Sequence, residues 1–306
     1  MSALLQLVLA CASQPDWVFD ACEDPEWVYQ GSVWRTQPLG DQVFVLGAQM
    51  LTRVDGGSPT QLTPPLESVE QVFLYQDRLW ASDWREGLAV CDQEGWRLVE
   101  TPPLGGESGD RLKPFVLERG LVMVGSFNPD PDCTVGDCSA GYQVSVWEDG
   151  VWESIAGGGA LEMRVVRGVL WARMDGAWQV LEEEGFWSPL DPALPKQLWV
   201  DPTGEWLVGR DEDGLWWAGP PDDLTQIPAP ETHEATRDWR AVTVVGPGDY
   251  LLSDLEGTWR YQDGAWTALP LAEGSWPKSA SAAADGVLVT DPPQWVDASG
   301  ARALEL

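Results

Sequence analysis

Four aspartates fall at one repeated place in this chain. Asp83, Asp211, Asp254 and Asp291 each follow a short apolar run and one further residue, Ser82, Arg210, Ser253 or Thr290. Carboxylates gathered in this way could bind calcium or a cationic ligand. Asp211-Glu212-Asp213-Gly214 is the densest cluster, although it lacks the ligand spacing of a calcium loop. Two carboxyls about 5 Å or about 6.5–9.5 Å apart, beside an indole, could instead cleave a glycan. Trp84, Trp217 and Trp239 sit off the main Trp repeat or beside loops and would supply stacking platforms. The plainer alternative is that each Asp accepts backbone N–H bonds within its own turn. His233 is the single histidine, and it shares the segment Pro228–Asp238 with Glu231, Glu234 and Arg237. A histidine among carboxylates can act as a general base, although in a polar loop it is more often idle. No nucleophile elbow, P-loop, dinucleotide fingerprint or metalloprotease helix is present.

The elements that must position these residues follow from a repeat. Gly257–Pro270 reads as a short strand, a tight Asp263-Gly264 turn, a second strand and a proline stop. Asp-Gly between two apolar runs signals a hairpin, because Gly accepts the positive φ of a primed turn. Trp266 and Leu269 stand three apart after that turn, and Trp96/Val99, Trp152/Ile155 and Trp187/Leu190 repeat the spacing. Acidic-Gly pairs precede them at Glu94-Gly95, Asp149-Gly150 and Glu184-Gly185, and another stands at Asp55-Gly56. Upstream apolar runs recur from Val43–Leu46 to Val287–Val289 with a mean period of roughly 41 residues, the range of four-stranded blades.

No helical periodicity longer than two turns appears, and 24 Pro with 32 Gly argue against long helices. A four-stranded sheet with two apolar faces cannot bury both alone, whereas copies packed radially can. The fold class is therefore all-β: a β-propeller of four-stranded antiparallel blades, seven expected, with six or eight as alternatives. Blades are placed near 32–65, 68–103, 111–157, 160–192, 196–230, 239–271 and 276–306. Gly257–Leu269 resembles the propeller repeat of bacterial sensor proteins of the two-component-regulator type, G-L-[WY]-x-[YF]-[DN]-G-x-[WF]. That resemblance implies the fold and says nothing of a ligand. In propellers the loops from second to third strand gather at one mouth of the ring, which is where the four aspartates would lie.

Forty-nine acidic residues against 18 basic ones give a net charge of −31. Such a surface keeps a Trp-rich protein soluble and disfavours nucleic acid, since no basic stripe is available to replace counterions on phosphates. Most of the 20 Trp fall at repeated strand positions, where a large ring fills the wedge between blades.

Met1–Ala10 is an apolar run ending before Cys11, and Val8-Leu9-Ala10-Cys11 resembles the lipobox of bacterial lipoproteins. The resemblance implies a signal sequence over residues 1–10, lipidation of Cys11 and a tether over 11–31, ahead of a single propeller domain over 32–306. The run lacks the positive residue expected before a secretory signal and is too short to span a membrane as a helix. The chain has five Cys; with Cys11 lipidated, four remain to pair. Cys133 and Cys138 bracket four residues and would pin a loop, with zinc as the alternative for that pair. Cys22 with Cys91 would staple the N-terminal segment to the second blade. Disulfides agree with export to an oxidising compartment.

The expectation is thus an exported, lipid-anchored, monomeric propeller of the cell envelope. It would touch the membrane only through its anchor, need no cofactor unless calcium, and bind a protein or glycan partner. A carbohydrate-active hydrolase or lyase and a structural subunit of an envelope complex are the alternatives.

Overall fold

The structure, a computed structural model, describes residues 21–23, 33–39, 42–48, 50–55, 58–83, 87–102, 111–127, 141–148, 151–158, 162–229, 241–253, 257–271, 279–283, 286–290 and 293–304. These form seven four-stranded sheets, and every sheet is a meander in which sequential strands pair antiparallel. Among the described residues there is no helix. The blades run 33–62, 71–99, 111–158, 162–189, 197–227, 241–268 and 280–303. The first strands of the seven blades are Val33–Leu39, Gln71–Tyr75, Arg111–Leu117, Glu162–Val166, Gln197–Val200, Ala241–Gly246 and Ala280–Ala283. Each touches the first strand of the next blade, and the last touches the first, so the sheets close a ring with these strands innermost.

The apolar runs seen in the sequence are the second strands. Val43, Phe44, Val45 and Leu46 are all fully buried, as are Leu121, Val122 and Met123 in the third blade. Both faces of these strands are covered because each blade packs against two neighbours. The result is seven apolar clusters rather than one central core. The turns behave as their residues dictate. Asp263 and Gly264 take φ of 52° and 83°, the two positive values of a primed hairpin turn.

The repeated Trp of the fourth strand has a second task beyond filling space. The indole of Trp152 donates to the carbonyl of Glu100 (2.8 Å), that of Trp187 to Gly157 (3.2 Å) and that of Trp266 to Pro228 (2.8 Å). In each case the acceptor lies in or just past the fourth strand of the preceding blade, so the repeat residue clips neighbouring wedges together at their outer edge. Trp96 does the same to Cys22 (3.2 Å), a residue of the N-terminal segment.

That segment is fastened in three further ways. Glu23 bridges to Leu62 on the outer edge of the first blade, and Arg53 pairs with the Glu23 carboxylate at 2.6 Å. Cys22 is disulfide-bonded to Cys91, in the third strand of the second blade, with Cα atoms 6.1 Å apart. The strap therefore spans the seam between the first two blades.

Candidate functional site

A meander alternates direction, so second-to-third-strand loops and inter-blade loops share one end of the ring, and the hairpin turns share the other. Between the ends lies a cavity of about 650 Å³, lined by the first strands of the first six blades and by the Asp201–Gly204 turn.

A blade's innermost strand has one unpaired edge, a liability unless something satisfies it. Here polar side chains reach across to the next blade. The Gln37 amide donates to the Val72 carbonyl (2.5 Å) while its oxygen accepts from the Val72 amide (3.1 Å). Gln71 donates to the Pro114 carbonyl (3.2 Å), Arg164 to Leu198 (2.8 Å) and Thr243 to Ala280 (2.7 Å). At the junction of the last and first blades the Ser281 hydroxyl donates to Thr36 (2.8 Å).

Three cations line the cavity: Arg35, Lys113 and Arg164. Each is the third residue of its blade's first strand, Val33–Leu39, Arg111–Leu117 and Glu162–Val166. Arg164 is fully committed. It donates to the carbonyls of Leu198 and Met163, both at 2.8 Å, and to the carboxylate of Glu162, which also accepts from Arg173 at 3.3 Å. Arg35 and Lys113 differ. Among the described residues neither makes a hydrogen bond or an ion pair, and the nearest ring to the Lys113 ammonium is Phe115, 5.3 Å from its centroid. Both side chains are exposed to the water of the cavity, within the ring of first strands. That enclosure lowers the Lys113 pKa to about 8, helped by the like charges of Arg164 and Arg35 and opposed by Glu162. Enclosure likewise lowers Arg35, against the pull of Glu70.

The expected ring of carboxylates is only partly in view. Asp254, Asp291, Trp84, Trp239, His233, Cys11, Cys133 and Cys138 lie outside the described residues. Asp83 is buried and accepts the hydroxyl of Ser68. Asp211 holds its own turn, accepting from the Leu215 amide and the Trp217 indole, each at 2.9 Å. Burial works to raise its pKa, but the bonds from Trp217, Leu215, Asp213 and Gly214 prevail and hold the carboxyl below its usual range. The Trp217 indole, a candidate sugar platform in the sequence, is therefore spent on Asp211. Arg210 packs over the same turn, its Nη2 3.2 Å from where a Cβ on Gly214 would stand. Asp213 is exposed and borders a separate cleft of about 370 Å³ with Asp175, Asp191 and Glu212, the last paired to Lys196. None of Asp83, Arg210, Asp211 and Asp213 lines the axial cavity. Among the described residues no group of three or more His, Cys, Asp or Glu could hold a metal ion.

Sequence reasoning missed the axial cations. Their signal was positional: basic residues are scarce here, and three share one strand phase.

Seven four-stranded meanders around one axis define the class: this is a seven-bladed β-propeller. Among solved structures it is similar to PorZ, an essential bacterial surface component of the type-IX secretion system of Porphyromonas gingivalis, with a TM-score of 0.56 and 11% identity over 91% of this chain. The chain spans only 38% of PorZ. It is also similar to YCF48 from Cyanidioschyzon merolae (TM-score 0.55, 12% identity, covering 90% of this chain and 96% of that one). The computationally designed Ika8 protein gives a TM-score of 0.50 at 12% identity, covering 91% and 98% of the two chains. At these identities the likeness concerns the fold alone. No protein-family model matches the sequence. No curated protein matches it either.

Proposed function

We propose that this chain is an exported, lipid-anchored propeller of a bacterial cell envelope that binds a protein or glycan partner at the end of the ring carrying its second-to-third-strand loops. The observation that carries the binding half is what the described loop carboxylates do. Asp211 holds a turn and Asp83 takes a serine hydroxyl, so these groups shape loops on a rigid ring instead of standing paired and free for acid–base work. The Val8–Cys11 leader and the Cys22–Cys91 bridge support export, since disulfides persist in oxidising compartments. PorZ, a surface component of a secretion system, uses the same kind of ring.

Intact-mass analysis of the mature protein from membrane fractions tests the anchor. The expected mass begins at Cys11 with a diacylglycerol adduct, and Cys11→Ser moves the protein to the soluble fraction. A mature chain that retains Met1–Ala10 overturns the anchor. Turnover of a glycan or ester that stops on His233→Ala overturns the non-enzymatic reading.

A further inference from the structure

We infer that the axial cavity is a binding site for a small oxyanion, a molecule bearing carboxylate or phosphate groups, held by Arg35 and Lys113. This site is distinct from the loop end discussed above and does not depend on the anchor or on the partner.

The argument starts from charge. The chain carries 49 acidic and 18 basic residues, so a cation has many carboxylates within reach during folding. Partly buried cations find them: Arg53 pairs with Glu23, Arg164 and Arg173 share Glu162, and Arg260 grips Asp249 through two bonds at 2.9 and 2.6 Å. Arg35 and Lys113 line the same cavity as Arg164 but have no such partner among the described residues. Like charges lining one cavity repel one another and favour a counter-ion between them. The carboxylate in the cavity lining cannot fill that role. Asp201 is consumed by the Thr203 hydroxyl (2.5 Å) and the Trp206 amide (2.8 Å).

The chemistry of the ligand follows from the two heads. A guanidinium presents a planar fork that matches two oxygens of a carboxylate or phosphate, and an ammonium adds a point charge beside it. A volume of about 650 Å³ lies in the range of small-molecule sites, and Phe115 and Trp199 contribute to its walls. Because Arg164 is fixed by two carbonyls and Glu162, it lends field without reorganising, which leaves Arg35 and Lys113 as the groups that contact the anion.

Calorimetric titration of the full chain with inorganic phosphate, pyrophosphate and citrate at neutral pH, in about 0.1 M salt, tests this and separates phosphate from carboxylate ligands. At least one of the three should bind with one-to-one stoichiometry. Arg35→Gln and Lys113→Gln should each weaken it by about tenfold or more. Lys196→Gln, at the outer cleft, should leave it unchanged. In anion-free buffer both cavity variants should melt above the wild type, since each removes one of the mutually repelling cavity cations, and both should lose the rise in Tm that the anion gives the wild type. The proposal fails if none of the three anions gives heat or a Tm shift at millimolar concentration. It fails equally if the folded variants bind as tightly as the wild type. A fall in Tm, or loss of folding, in both variants would show that the cations serve the ring instead of a ligand.

Discussion

The hydroxyl of Ser281 donates to that of Thr36 over 2.8 Å, although the two stand 245 positions apart in the chain. The bond is one link of a relay. Thr36 lies 3.2 Å from the Ser279 hydroxyl, Ser279 lies 3.1 Å from Thr290, and Thr290 returns to the Ser279 carbonyl at 3.3 Å. If every hydroxyl donates forward, all four donors are used and the relay ends on backbone. Beside it the Val43, Val45, Val54, Leu288 and Trp295 cluster joins the first and last blades. Thr36→Val keeps the volume but leaves the buried Ser281 and Ser279 hydroxyls short of a partner. It should cost about 1–3 kcal/mol, read as a lower denaturant midpoint with an unchanged slope.

Trp266→Phe keeps an aromatic ring in the outer wedge but removes the 2.8 Å bond to Pro228. Because the ring is only half-buried, the expected loss is modest, about 1 kcal/mol. Trp187→Phe should behave alike, and the two together should be additive, since they clip different pairs of blades.

The Cys22–Cys91 bridge closes a loop of sequence separation 69. On the chain-entropy account, losing such a bridge removes about 4 kcal/mol. Cys22→Ser with Cys91→Ser should therefore melt well below the wild type. Proteolysis should also cut the N-terminal strap before the ring, because the Glu23–Leu62 bridge, the Arg53–Glu23 ion pair and the Trp96 bond to the residue-22 carbonyl are then its remaining fastenings among the described residues.

Lys113 sets a pH dependence of known sign. Its folded pKa, about 8, lies below the ordinary value of 10.5, because enclosure and the facing Arg164 and Arg35 outweigh Glu162. Between those values the unfolded chain binds the extra proton, so this residue's contribution to stability rises with pH across the window. Its penalty is complete below about 8 and gone above about 10.5. The Tm advantage of Lys113→Gln over the wild type should accordingly be largest near neutrality and shrink toward the upper limit. A constant difference would mean that Lys113 does not titrate in that range.

Gly286→Ala should be among the costlier small changes. A Cβ there would stand 2.5 Å from Trp295 Cε2, and Trp295 is 1% exposed. An indole packed that tightly cannot retreat without displacing the seam cluster, so a loss of about 1–3 kcal/mol is expected in equilibrium unfolding.

Much of the ring was legible because its signals are local. The apolar run at Val43–Leu46 marks a strand covered on both faces, Asp263-Gly264 marks its turn, and Trp266 three before Leu269 marks the outer strand. What lies at the axis was not legible, because it depends on which face of seven separated strands turns inward. Arg35, Lys113 and Arg164 are far apart in sequence and meet only when the circle closes. The aspartates illustrate the converse. Their repetition was plain, and for Asp211 the repeated residue serves its own turn, which is the commonest reason for a polar residue to recur in a repeat protein.

Among the described residues each sheet is built wholly from one contiguous stretch of chain, and the first and last blades lend each other no strand. Closure thus rests on side chains such as Thr36 and Ser281, not on an interleaved ladder. An in-frame duplication or deletion of one 41-residue stretch would therefore insert or remove a whole wedge and ask only that two new flanks fit. Circumference in such a lineage is free to drift while the architecture of each sector stays the same.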